Sequence, residues 1–209
     1  MTWHDIIRLH MAGSTGRSRG VVPLRWSDVP ESLSSLVGRM KVVLDPSIPV
    51  EIAPSWRGAR AMVAARGRRG NRIRIGGALA ERLSPDALEG VMAHELAHLR
   101  CMHWELLLAC SSLATLAGIA VGLAVDLPMA LRVLFGGGVL ILSTAALSWL
   151  AEYEADSVAA QYVGYDVMAL TLRELRDSGF RTRAEFTHPP DGSRVRQLRA
   201  AQLKCRHRC

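Results

Sequence analysis

Two stretches without a single charged side chain, residues 106–125 and 133–150, constrain the fold of this chain more than any other feature. The first has 20 residues, enough for about 30 Å of helix, which matches the hydrocarbon core of a bilayer. The second extends back toward Pro128 if Arg132 runs its aliphatic stem along the apolar phase and leaves its charge at the headgroups. Asp126, Pro128 and Arg132 mark a tight turn between them, so the pair reads as an antiparallel hairpin across a membrane. The rival is a hairpin buried in a soluble core, and two uncharged runs of this length favour the membrane. Gly118 and Gly122 on the first run and Gly136, Gly137 and Gly138 on the second fall at similar depths. That predicts small residues facing each other.

The flanks of these runs are rich in Arg, and the formal net charge is +7. No stretch interleaves aromatic with basic residues and no nucleic-acid motif occurs, so nucleic acid is not the expected partner. Basic segments against lipid headgroups are the plainer reading. Four cysteines are few for a disulfide scaffold. Cys205 and Cys209 bracket His207 in a terminal C-R-H-R-C, which reads as a basic tail rather than a metal site. Residues 3–11 read as a short amphipathic helix, with His4, Asp5, Arg8 and His10 interrupting any signal-peptide core.

Residues 12–20 read as a connector, and a helix opens at Glu31 with Leu33, Leu36, Val37 and Met40 as its apolar stripe. Val50–Ala53 reads as a strand, and residues 59–65 and 72–75 as two more joined by a Gly-rich turn. Arg72, Ile73, Arg74 and Ile75 alternate between a wet and a buried face. These four either form an edge that takes an extended peptide as an added strand, or an ordinary internal strand. Ser84, Pro85 and Asp86 form a strong helix start. Nothing breaks the pattern after it, so this helix is expected to run directly into the first apolar run. Helices also follow to about Val163, after Gly164, and over residues 193–204, with a turn at Thr187, His188, Pro189 and Pro190.

The sequence His94-Glu95-Leu96-Ala97-His98 falls on the predicted helix after Ser84. Residues four apart share a face, so both imidazoles reach one zinc ion while Glu95 leans toward water beside it. A catalytic zinc site needs a third protein ligand and an open position. Glu152 lies two residues past the second apolar run, and His98 eight residues before the first. An antiparallel hairpin makes those two ends neighbours, so Glu152 is the expected third ligand. Asp156 shares its face and is expected to accept the free ring N–H of a ligating histidine. Glu154 points elsewhere and reads as a solvated acid, and Cys101 and His103 read as packing. Glu95 is the expected general base. His188 and Arg194 are candidates for stabilising the oxyanion. Their alternatives are structural: His188 shaping its turn, and Arg194 pairing with a carboxylate on a neighbouring helix.

L-S-P-D-A-L-E-G-V-M-A before H-E-L-A-H, then E-Y-E-A-D, then T-H-P-P with Arg194 and Leu198, resembles a family of integral-membrane peptidases. The family includes the HtpX heat-shock protease, the CAAX prenyl protease and the mitochondrial Oma protease. The resemblance implies zinc held by His94, His98 and Glu152, and a hairpin between the motifs as in HtpX. HtpX-like proteins carry a further apolar hairpin before the catalytic domain, where this chain is polar. The expected fold is mainly α with a small β-sheet, an α+β zincin-like domain carrying a two-helix transmembrane hairpin. Residues 1–25 form an arm, 26–105 and 151–204 the peptidase domain, 106–150 the hairpin with spans near 106–125 and 129–150, and 205–209 the tail.

The expected function is zinc-dependent endopeptidase cleavage of protein or peptide substrates at the cell membrane, with membrane-protein quality control as a setting. Lipid is the other expected partner. The active site is expected on the cytoplasmic side, because the roughly 100 residues before the first span lack a signal to carry them across. The alternative classes are a membrane-anchored pseudoprotease or adaptor, and a structural zinc protein. The complete set of two histidines, two glutamates and Asp156 argues against the first. Three ligands with an adjacent Glu, in place of four closed positions, argues against the second.

Overall fold

A computed structural model of the chain describes residues 5–6, 21–53, 61–67, 70–125, 128–180 and 188–206. Four strands form one sheet: β1 (Val22–Leu24), β2 (Val50–Ala53), β3 (Ala61–Gly67) and β4 (Gly70–Gly76), in the order β1-β2-β4-β3. β2 and β4 run parallel, and the two outer strands pair antiparallel to them. Alternation in β4 works as the sequence predicts on its buried face, where Ile73 and Ile75 enter the core. Its other face is tied down by charge. Arg72 reaches Glu51 at 2.9 Å and Asp45 at 3.0 Å, and Arg74 reaches Glu51 at 2.6 Å. The edge-strand reading of Arg72, Ile73, Arg74 and Ile75 is therefore corrected. β4 is hydrogen-bonded on both sides and has no free edge for a peptide.

Helix α1 (Glu31–Met40) buries Leu33, Leu36, Val37 and Met40, the predicted stripe. A short α2 (Gly77–Arg82) follows the sheet, and α3 (Pro85–Arg100) carries the histidine motif. The Ser84 hydroxyl accepts from the Ala87 amide at 3.3 Å and itself donates to Glu174 at 2.7 Å. Glu174 belongs to α6 (Tyr165–Asp177), which packs along α3, and α7 (Asp191–Arg206) closes the domain. Ile6 joins the same core. The rest of the predicted helix at residues 3–11, the connector at 12–20, the turn residues Asp126 and Leu127 and the end of the C-R-H-R-C tail lie outside the described residues.

The hairpin consists of α4 (His103–Ala124) and α5 (Met129–Val163). Within their most apolar windows only 17% and 6% of residues are buried, so these are not core helices of a soluble domain. Leu113, Leu116, Val133, Leu134 and Leu142 all face outward, as a lipid-facing hairpin requires. Trp104 and Trp149 lie exposed at the domain end of the two helices, where interfacial aromatics sit.

Two expectations change here. α3 does not run into α4: Met102 takes a left-handed conformation at φ 53° and turns the chain. The glycines do not face each other either. Gly118 receives Val139, Gly136 receives Ile119 and Gly122 receives the Arg132 stem, while Gly137 and Gly138 meet nothing within 4 Å. Each contacting glycine is a notch for a larger side chain, which brings the backbones together equally well.

Gly164 separates α5 from α6 at φ 97°, a conformation that costs any side-chain-bearing residue strain. A second glycine is required for space. A Cβ on Gly90 would stand 2.1 Å from Thr171 Oγ1, 3.1 Å from its Cβ and 3.3 Å from its Cγ2. Rotating Thr171 would move Oγ1 but leave its Cβ at 3.1 Å, and would break the hydroxyl's contacts with the Ala87 and Val167 carbonyls. Gly90→Ala should therefore separate α3 from α6 at a cost of about 1–3 kcal/mol. Thermal unfolding in detergent should show a lowered Tm. Adding Thr171→Ala should recover part of it, whereas additive losses would mean the two residues do not meet.

Candidate metal centre

α3 places His94 and His98 one turn apart with their Nε2 atoms 3.1 Å from each other. α5 re-enters the domain beyond the apolar run and brings Glu152 against both. Its Oε2 is 3.5 Å from His94 Nε2 and its Oε1 is 3.5 Å from His98 Nε2. Ligands about 2.0–2.1 Å from a tetrahedral ion stand roughly 3.3 Å from one another. The contacts of 3.1 and 3.5 Å are close to that spacing, the glutamate meeting each imidazole with a different oxygen, and one donor atom from each of the three residues lies within 4.8 Å of the others. His94 and Glu152 are buried and His98 is partly so.

Carboxylates and one guanidinium surround this trio. Asp156 lies one turn beyond Glu152, with its Oδ1 3.0 Å from His94 Nδ1. A proton on His94 Nδ1 satisfies that contact and turns the Nε2 lone pair toward Glu152 and His98. Arg194 from α7 grips Asp156 through Nε and Nη2, both at 2.6 Å, and its Nη1 is 3.2 Å from Glu152 Oε2. Burial opposes the charge on Asp156, but Arg194 more than offsets it and holds the carboxyl down at about 2. For Glu152 the balance is similar. Burial raises its pKa, and the histidines and Arg194 bring it well below the ordinary carboxylate range.

A divalent cation fits what is left over. Glu95, Glu152 and Asp156 are three buried carboxylates against one buried guanidinium. With neutral histidines the centre has a formal charge deficit equal to one such ion. Glu152 Oε2 forms no hydrogen bond among the described residues beyond its 3.2 Å ion-pair contact with Arg194 Nη1, and the carboxylate meets one imidazole nitrogen with each of its oxygens, so it still has lone pairs to offer a cation.

The remaining candidates fall as follows. Glu95 is buried next to His94, and its negative charge is felt at His98. His188 comes to the rim, with a side chain 37% exposed and Nε2 3.5 Å from Glu152 Oε1. Arg194 is 2% exposed, so this geometry assigns it to holding the α5 carboxylates and not to contacting substrate. Arg72 and Arg74 pair within the sheet as described above. Sequence reasoning missed His103 and Glu154. His103 Nδ1 is 2.8 Å from His98 Nδ1, and its Nε2 is 3.3 Å from Glu154 Oε2. The wheel of one continuous helix separated His103 from His98, and only the turn at Met102 brings them together.

Two histidines on one buried helix, a glutamate from a second and an acid beside the first histidine define a metallopeptidase centre, here attached to a membrane hairpin. Residues 58–202 match the model of peptidase family M48, and the chain belongs to that family. The fold is similar to the crystal structure of S. mikatae Ste24p, with a TM-score of 0.67 at 16% identity. The match covers 93% of this chain and 56% of that one, so the chain spans just over half of that protein's length. No curated protein matches the chain significantly.

Replacing Arg194 tests the electrostatics of the centre. Arg194→Ala leaves Asp156 and Glu152 buried without their cation and should cost about 3–5 kcal/mol. Arg194→Lys should recover only part, since an ammonium cannot make both contacts to Asp156 in one plane. Denaturant unfolding of the three proteins measures both effects. An unfolding midpoint unchanged in Arg194→Ala would show that the carboxylates are stable without it.

Proposed function

We propose that the chain is a zinc-dependent endopeptidase of the HtpX-like kind, cleaving protein substrates at the membrane with its active site on the cytoplasmic side. The observation that carries this reading is the convergence of His94, His98 and Glu152 on one point, with Glu95 buried beside them. Two imidazoles and one carboxylate with an open position is the donor set of catalytic zinc. Zinc bound there would lower the pKa of its water to about 7 and polarise the scissile carbonyl.

The chain's own residues do the rest. The Glu95 carboxylate takes the proton of the attacking water and returns it to the leaving amine nitrogen. Asp156 holds the His94 ring in one tautomer through Nδ1, and Arg194 holds Asp156. His188, exposed at the rim, is the candidate donor to the carbonyl oxygen as negative charge develops on it. The polar segments before and after the hairpin both belong to the peptidase domain, so both ends of the hairpin open on the same side of the membrane. Membrane proteins are then the natural substrates, and their quality control the natural setting.

The test uses full-length protein in detergent, with zinc content and casein cleavage measured together. Wild type should carry about one zinc per chain. Glu95→Gln should keep the zinc and lose about 10²–10⁴-fold in kcat. Glu152→Ala should lose zinc and activity together. Cleavage by Glu95→Gln at the wild-type rate would remove the general base. Zinc without cleavage in the wild type would replace the enzyme by a pseudoprotease.

A further inference from the structure

Behind the metal centre lies a second cluster. α3 stops at Arg100, the chain turns at Met102, and α4 begins at His103. His103 is 6% exposed and sits between two partners, with Nδ1 2.8 Å from His98 Nδ1 and Nε2 3.3 Å from Glu154 Oε2. Cys101 completes the cluster, so that Cys101, His103 and Glu154 offer three donor atoms within 4.8 Å of one another. Two uses compete for these residues: a second metal site, or a support for His98.

The tautomers decide between them. A neutral imidazole that coordinates through Nε2 keeps its proton on Nδ1. His98 turns Nε2 toward His94 and Glu152, so its Nδ1 carries the proton and donates. The 2.8 Å contact then requires a lone pair on His103 Nδ1, which puts the His103 proton on Nε2, facing Glu154. A metal on His103 Nε2 would reverse this and leave two N–H groups face to face at 2.8 Å.

We propose that His103 is a positioning residue for the metal centre, accepting the Nδ1–H of His98 and passing its own N–H to Glu154. Each histidine ligand is then backed by a carboxylate of α5. Asp156 supports His94 directly, and Glu154 supports His98 through one intervening imidazole. Such backing fixes the ring orientation and raises the basicity of the coordinating nitrogen. The inference rests on the metal reading above, and the experiment separates the two.

Zinc affinity of the full chain in detergent is measured by chelator competition, with the visible spectrum of the cobalt-substituted protein as a second readout. His103→Leu should weaken zinc binding by about 10–100-fold and alter the cobalt spectrum. His103→Gln should restore most of the affinity, because its amide oxygen accepts from His98 while its NH2 donates to Glu154. A residue needed only for packing would show no such difference between Leu and Gln. Glu154→Ala, at an exposed position, should lower affinity toward the small end of that range, about 10-fold. It carries the test if His103→Leu does not fold. Unchanged affinity in His103→Leu, or in Glu154→Ala where the Leu variant is lost, overturns the proposal. Two metals per chain, falling to one in Cys101→Ala, would overturn it in favour of the second metal site. A wild type that binds neither zinc nor cobalt sinks the metal reading itself.

Discussion

The Arg194 guanidinium closes on Asp156 with two contacts of 2.6 Å in a part of the domain where both side chains are almost fully buried. Removing two charges from water is expensive, and such a pair gives little net stability over a well-packed apolar one. What it gives here is placement. Asp156 fixed by Arg194 fixes His94, and the remaining nitrogen of the same guanidinium lies 3.2 Å from Glu152. The pair also ties α7, at the end of the chain, to α5 and through it to α3. Apolar side chains of equal volume would join the same helices but could not hold an imidazole in one tautomer.

The hairpin contributes to this in an unequal way. α5 is one helix of 35 residues, about 52 Å long, which leaves the apolar region and enters the domain without a break. Glu152, Glu154 and Asp156 are therefore carried on the same continuous helix as the second apolar run. α3 and α4 are separated by the turn at Met102, so the histidines sit on α3, whose Leu88, Met92 and Leu96 enter the core of the domain. Trp104 and Trp149 mark the shared boundary. His98 lies six residues before Trp104 and Glu152 three after Trp149, and the hairpin accounts for most of the 54 positions from His98 to Glu152.

Much of this was legible because it rests on period and spacing. The uncharged runs, the paired histidines and the position of Glu152 after the hairpin are one-dimensional patterns with one physical solution. The stripe of α1 and the Ser84 start of α3 are equally local. What the sequence concealed depends on partners far along the chain. Arg72 and Arg74 look like solvent-facing residues of a free strand until Glu51 of β2 is seen beside them. The glycines of the hairpin look like a matched pair, but each accommodates a residue of the other helix that spacing cannot nominate. Met102 has no turn residue's chemistry. Its left-handed conformation is not announced by its residue type, and without it His103 belongs to the wrong face.

The acids of α5 show how far that single turn reaches. Residues four apart differ by about 40° around a helix, and residues two apart by about 200°. Glu152 and Asp156 therefore share the face toward α3, and Glu154 is carried round the helix toward solvent, with a side chain 60% exposed. On a continuous α3–α4 helix nothing from the histidine motif would meet it. The turn at Met102 instead lays His103 across the gap, with one nitrogen on His98 and the other on Glu154. One long helix thus meets the site from two sides. Its inward face brings Glu152 to both histidines and Asp156 to His94, and its outer face reaches His98 through an imidazole that belongs to the other apolar helix.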